Sequence, residues 1–131
     1  MTLNELYSRV CKLTALALVI PELDEKKSLD HTPNIPPAPT VEIVTELAGL
    51  LAADMAALYI EAEETSTRYM DALSEAQAAA EALLNAADWL SISDPQSAER
   101  FFALSYITAR TFAAARDKLA QDEGIFASTK A

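Results

Sequence analysis

The stretch from Thr40 to Leu90 restricts the fold of this chain more than any other part of the sequence. It holds no proline and only one glycine, Gly49, so nothing in it forces a helix to stop. Apolar or small side chains recur at every third or fourth position, at Val44, Leu47, Leu51, Met55, Leu58, Ala62, Thr65, Tyr69, Leu73, Ala76, Ala80, Leu83, Ala87 and Leu90. This spacing predicts helix throughout the stretch.

Two arrangements of this helical stretch are compatible with its sequence. At a rise of 1.5 Å per residue it would form a single rod of about 75 Å. Alternatively, it would bend into a hairpin near Thr65, Ser66 and Thr67, which cap helices well but do not oblige a helix to end. Thr40 is a good N-cap for its beginning.

One further helix is predicted on each side of this stretch. Thr2 and Glu5 form a capping box, and the apolar pattern then continues to Ile20. Pro95 suits the first turn of a last helix and Gly124 suits its end. Five of the six prolines lie between residues 21 and 40, which predicts an extended strap there because proline disfavours helix in the residue before it.

These patterns predict one all-α domain over residues 1–131. We expect a bundle of about four helices, approximately at 3–20, 41–64, 67–90 and 95–123, with a proline-rich extended strap at 21–40. The middle two helices become one in the rod alternative. A chain of this length buries roughly two-thirds of its unfolded surface, so it can fold without a disulfide or a metal.

The sequence predicts a reducing, cytoplasmic location. The only cysteine, Cys11, cannot form an internal disulfide. The apolar run from Leu13 to Ile20 is too short to cross a bilayer, so we predict no membrane association. If a mobile element encodes the chain, the cytoplasm would be that of the host.

Residues that carry catalysis are scarce, and we predict that the protein is not an enzyme and has no cofactor. The only histidine, His31, falls in the predicted strap, which leaves no Ser-His-Asp or Cys-His pair on the helices. Neither a di-iron bundle site nor a zinc site has enough ligands. Two isolated glycines exclude a glycine-rich phosphate loop.

Glu61 and Glu64 form a Glu-x-x-Glu pattern that resembles the first half of the metal-binding motif in all-α nucleotide pyrophosphohydrolases. The resemblance implies magnesium-dependent hydrolysis of nucleotides. The second half of the family motif, a downstream Glu-x-x-Asp, is absent from this sequence. Metal-dependent hydrolysis is therefore kept only as an alternative function.

The negative charge is concentrated in the middle of the chain. From Glu42 to Asp94 there are eleven acidic residues and one basic residue, Arg68, and their net charge of −10 equals that of the whole protein. Four of the acids are predicted to follow one helix face beside Arg68, namely Glu61, Glu64, Asp71 and Glu75.

Three interpretations of this acidic face remain open. It is a solvated surface, a docking surface for a basic protein patch, or a mimic of nucleic-acid phosphates. The third would make the chain a small inhibitor of the kind that mobile elements carry, occupying the basic channel of a nucleic-acid-binding enzyme. The charge density of the acidic region is low for that role. Eleven acids along a rod of about 80 Å give one charge per roughly 7 Å, whereas duplex DNA has one charge per about 1.7 Å. We predict no direct contact with nucleic acid, because phosphates would repel the chain.

The aromatic residues near the C-terminal end have two interpretations. Phe102 and Tyr106 are expected in the core, and Trp89 is expected to close one end of the bundle. Where exposed, the three become candidates for a partner-binding site. The first half of the last helix is apolar nearly all round, which also predicts a homo-oligomer. We therefore expect a non-enzymatic helical protein-interaction protein: an adaptor, an assembly component or an inhibitor.

Overall fold

The computed structural model describes residues 1–24, 38–65, 67–90 and 95–122. These residues form four helices and no strand: α1 (Leu3–Glu22), α2 (Ala38–Thr65), α3 (Met70–Asp88) and α4 (Pro95–Asp122). The predicted all-α bundle of about four helices is confirmed. His31, Gly124 and residues 25–37 of the predicted strap lie outside the described residues.

The middle of the chain is a hairpin and not a rod. Helix α2 ends at Thr65, α3 begins at Met70, and the two helices pack against each other. The amide of Met70 donates to the carbonyl oxygen of Thr67 at 3.3 Å, and the hydroxyl of Thr65 donates back to the carbonyl oxygen of Glu61. The break is therefore closed by backbone hydrogen bonds, and Tyr69, the N-cap residue of α3, provides no side-chain cap.

Four predicted helix ends are wrong by two or three residues: α1 ends at Glu22 and not at 20, α2 begins at Ala38 and not at 41, and α3 spans Met70–Asp88 and not 67–90. Helix α1 continues through Pro21 to Glu22 before the amide of Leu23 turns back to the carbonyl oxygen of Ile20. Helix α2 begins at Ala38, so Thr40 lies in its first turn and is not the cap. Proline has a fixed φ that suits a helix, and a missing N–H is tolerated in a first turn. The cap on α1 is as predicted, since the Thr2 hydroxyl accepts from the Glu5 amide at 3.1 Å.

Each helix packs against the next, and α4 packs back on α1. Side-chain contacts show that neighbours are antiparallel. Arg9 near the start of α1 binds Glu61 near the end of α2 at 2.7 Å. The hydroxyl of Thr14 donates to the Phe112 carbonyl oxygen, joining α1 to α4. The result is an up-down-up-down four-helix bundle in which α2 and α4 are diagonally opposite.

The core runs along the axis of the bundle and contains the predicted stripe. Every residue of that stripe is buried except Leu47, Thr65 and Leu90, which are partly buried. Aromatic and aliphatic side chains from the other two helices complete the core, among them Leu6, Val10, Ile20, Phe101, Phe112 and Leu119. Because the four helices use their inner faces here, the functional surface must come from outer faces or the grooves between helices.

Candidate functional site

Helix α2 has a second apolar stripe that points away from the core. The outer face of α2 consists of Ile43, Leu50, Ala53, Ala57 and Ile60, which are all exposed. Ile43 and Leu50 are two helical turns apart and the others follow at three- and four-residue spacing, so the five lie in one line along the helix, which Glu46 and Glu64 share. The large side chains are 48%, 49% and 66% exposed at Ile43, Leu50 and Ile60, respectively. The helix is therefore apolar on both sides, and only one side is covered by the bundle.

Acidic side chains lie within this outer face and along its edges, and α2 has no lysine or arginine. All six are exposed: Glu42, Glu46, Asp54, Glu61, Glu63 and Glu64. Glu61 is already paired with Arg9 of α1, so it contributes to the α1–α2 contact as well as to the surface. An apolar stripe with acidic side chains within and beside it matches an amphipathic partner that carries basic residues.

The same helix meets the simple criteria for a membrane span. Val41–Thr65 is long and apolar enough to cross a bilayer by length and composition, and 33% of its most apolar window is buried in the bundle. Among the described residues it is the only such helix.

The outer face of α4 has the opposite charge. It includes Arg100, Ala103, Ile107, Arg110, Ala114 and Lys118, and the helix also exposes Gln96, Glu99 and Gln121. Ile107, at 48% exposure, is its large apolar residue. Beside this face, an open groove of about 550 Å³ lies between α1 and α4. The groove is lined by Leu18, Pro21, Glu22, Tyr106, Ala109, Arg110 and Ala113.

The four acids predicted to share a face are exposed but lie on two helices. Glu61 and Glu64 lie near the end of α2, and Asp71 and Glu75 lie in the first two turns of α3. The break after Thr65 separates them into two pairs at one end of the hairpin. The single acidic line that was predicted requires the continuous rod, so that part of the prediction is wrong.

The three aromatic candidates have different surroundings. Trp89 follows the end of α3 and is 81% exposed, so it is accessible to a partner. Tyr106 is partly buried and lines the α1–α4 groove. Phe102 is buried and meets Phe101 edge-on, with ring centroids 5.2 Å apart. It belongs to the core, the first of the two interpretations given to it.

Groups with chemical reactivity do not converge in the described part of the chain. No three of its histidine, cysteine, aspartate or glutamate side chains are close enough to hold a metal ion. Within the Glu-x-x-Glu pattern, Glu61 binds Arg9. Cys11 is partly buried. The hydrogen bond between Tyr7 and Cys11 is the largest cause that raises the pKa of Tyr7, and burial of Tyr7 raises this pKa further.

Sequence reasoning did not find the outer faces of α2 and α4. The α2 face was missed because acidic residues interrupt its apolar pattern, although the repeat at residues 43, 50, 53, 57 and 60 was a readable signal. The α4 face was hidden because the charges of residues 95–123 cancel. If the charges had been counted separately for each face of this helix, Arg110 and Lys118 would have appeared on one face and the acidic residues beside it.

Comparisons with protein-family models, with curated proteins and with solved structures found no match. The class of the protein therefore rests on its own geometry. It is an antiparallel four-helix bundle with an exposed helix face that is both apolar and acidic.

Proposed function

We propose that this chain is a non-enzymatic protein-interaction protein that binds a basic amphipathic helix through the outer face of α2. As an adaptor, assembly component or inhibitor, it would act by holding that helix. The observation that carries the proposal is the line of exposed apolar side chains along α2, of which Ile60 is two-thirds exposed.

The outer face of α3 provides a comparison within the same molecule. Its exposed residues are mostly polar, including Ser74, Glu75, Glu81 and Asn85, as expected of a surface in contact with water. Helix α2 instead presents isoleucine and leucine at the corresponding outward positions. Burying such a side chain against a partner contributes about 1.5–3 kcal/mol, so this face would gain from a partner where the α3 face would not.

The acidic side chains of α2 specify the charge of the partner. Asp54 lies beside the centre of the face, and Glu46 and Glu64 lie near its two ends. A partner helix with lysine or arginine flanking an apolar stripe would satisfy both features. Complementary charges mainly speed association, and the apolar contacts slow dissociation.

A protein partner fits α2 better than a bilayer does. Asp54 lies in the middle of the helix, where a bilayer would place it at a cost of about 2.5–3.5 kcal/mol. Helix α2 also supplies Leu51, Met55 and Leu58 to the core of the bundle.

Fluorescence anisotropy with a labelled synthetic peptide tests the proposal. The probe is an amphipathic helix with a leucine stripe flanked by lysines, and the reference peptide has the same stripe flanked by glutamates. We expect the basic peptide to bind and Leu50→Lys to weaken its binding by about tenfold or more, since the loss of one buried apolar anchor costs more than about 1 kcal/mol.

Ala78→Lys is the matched control, because Ala78 is exposed on α3 and the variant adds the same charge. Equal weakening by Leu50→Lys and Ala78→Lys would show that net charge alone attracts the peptide, and would contradict the proposal. Flotation of the wild-type chain with phosphatidylcholine vesicles, lost in Leu50→Lys, would instead assign the face to a membrane.

A further inference from the structure

We infer that the helix that binds the outer face of α2 is α4 of a second copy of the same chain, packed antiparallel to it. This inference rests on the proposed function and names the partner. It is supported by the charges of the two outer faces, by the sizes of their apolar residues and by their positions in the bundle.

The charges of the two faces match in a single register. Arg110 is ten positions after Arg100 and eight before Lys118, whereas Asp54 is ten positions before Glu64 and eight after Glu46. With the helices antiparallel and Arg110 opposite Asp54, Arg100 therefore faces Glu64 and Lys118 faces Glu46. The matched separations are about 15 Å and 12 Å along each helix. Within the described residues, neither Asp54 nor Arg110 forms an ion pair in its own chain.

A parallel arrangement fails the same comparison. With Arg110 again opposite Asp54, the other two basic residues would face Val44 and Ala62, both of which are buried in the core of their own bundle. Only the antiparallel direction therefore aligns three opposite charges.

The apolar residues alternate in size in the antiparallel register. It places Leu50 opposite Ala114 and Ile107 opposite Ala57, and it places Ile60 opposite Leu104, next to Ala103. A large side chain thus meets an alanine at the two central levels, as in well-packed helix pairs. The three large side chains are each close to half exposed or more in the single chain, so they are available for this contact.

The two faces point in opposite directions, because α2 and α4 are diagonal in the bundle. One copy therefore uses α2 to bind a second copy and has its own α4 free for a third. Such a head-to-tail contact produces an open series or a ring, and not a closed two-fold dimer. The contact spans about five helical turns with several alanines, which is a short interface and implies reversible association.

Both copies carry a net charge of −10, so the experiment must separate general repulsion from local attraction. At physiological ionic strength the Debye length is about 8 Å. Repulsion between distant charges is then largely screened, and the facing charges at the contact remain effective.

Sedimentation velocity over a range of concentrations at physiological salt tests the inference. We expect wild type to form a series of oligomers that grows with concentration. Asp54→Arg and Arg110→Glu should each weaken association by about tenfold or more, because each places like charges opposite one another. The chain with both substitutions should regain association, because every contact then has the reversed pair. Ala78→Lys on α3 should behave as wild type.

Mixing two blocked variants gives a sharper result. Leu50→Lys disables the α2 face and Ile107→Glu disables the α4 face, and circular dichroism would verify that both remain folded. Each alone should be monomeric, and the mixture should stop at a one-to-one heterodimer that uses the two intact faces. A monomeric wild type, a mixture that stays monomeric, or an Ile107→Glu variant that still dimerises would overturn the inference. The peptide experiment on α2 would keep its own outcome, so a failure here is distinguishable from a failure of the proposed function.

Discussion

Gly49 lies inside α2, where its hydrogen side chain is not required by packing. A Cβ built on this residue would have the Leu84 side chain as its nearest neighbour, with the Cδ1 atom 4.0 Å away, which is an ordinary van der Waals contact. The position is helical and in the middle of a long element. Glycine here leaves the unfolded chain more conformational freedom than alanine would.

Gly49→Ala should therefore stabilise the protein. We expect the free energy of unfolding to rise by about 0.5–1 kcal/mol, the usual difference between the two residues inside a helix. Urea denaturation followed by circular dichroism measures it. A loss of stability would mean that α2 and α3 approach more closely at this level than the 4.0 Å contact with Leu84 indicates.

At the level of elements, the turn between α2 and α3 is held by a buried aromatic side chain. Tyr69 immediately precedes α3 and is 1% exposed, and the guanidinium of Arg68 lies over its ring at 5.7 Å. The backbone carbonyl oxygen of Tyr69 accepts a hydrogen bond from the amide of Leu73 at 3.0 Å, in the first turn of α3. Tyr69 thus joins the turn to the core and fixes where the hairpin closes.

Removing this side chain should open the closed end of the hairpin. We expect Tyr69→Ala to lower the free energy of unfolding by about 3–5 kcal/mol, as large-to-small changes at buried aromatic residues do. Trp89→Ala removes an even larger side chain that is 81% exposed, and should cost less than about 0.5 kcal/mol. Equilibrium denaturation of both variants checks the prediction, and similar losses in the two would contradict the burial of Tyr69.

The whole molecule is electrically divided along the bundle. Helices α2 and α3 carry ten acidic residues and no basic residue, whereas α4 carries four basic and three acidic residues. Because α2 and α3 are neighbours, their acids repel one another across one side of the protein. Each of the two ion pairs in the described residues has both side chains about a third exposed or more, and such pairs contribute little.

Sodium chloride should therefore stabilise the fold. Between low salt and physiological salt, we expect the free energy of unfolding to rise by on the order of 1 kcal/mol as the repulsion is screened. Urea denaturation of dilute protein at each salt concentration measures it. Glu75→Gln combined with Glu81→Gln should begin more stable and respond less to salt. A fall in stability with salt would show that attractive pairs outweigh the repulsion.

The sequence by itself determined the helices and most of the core. Helix geometry repeats every 3.6 residues, so the stripe from Val44 to Ala87 identified the buried side without any knowledge of its neighbours. The same local rules gave the cap at Thr2 and the long middle region. They gave helix ends only to within three residues, because the side chains at a helix end are compatible with both a helical turn and a loop.

Tertiary structure decided the hairpin, the core position of Phe102 and the outer faces. Residues 65–67 are compatible with both a turn and a helix, and the packing of α3 on α2 selected the turn. Helices α2 and α4 each have more apolar surface than one neighbour covers, so only the positions of the other helices determine which residues stay exposed. Leu50 and Phe102 are both large apolar residues in long helices, and they differ because α1 and α3 leave the outer side of α2 uncovered, whereas the bundle encloses Phe102.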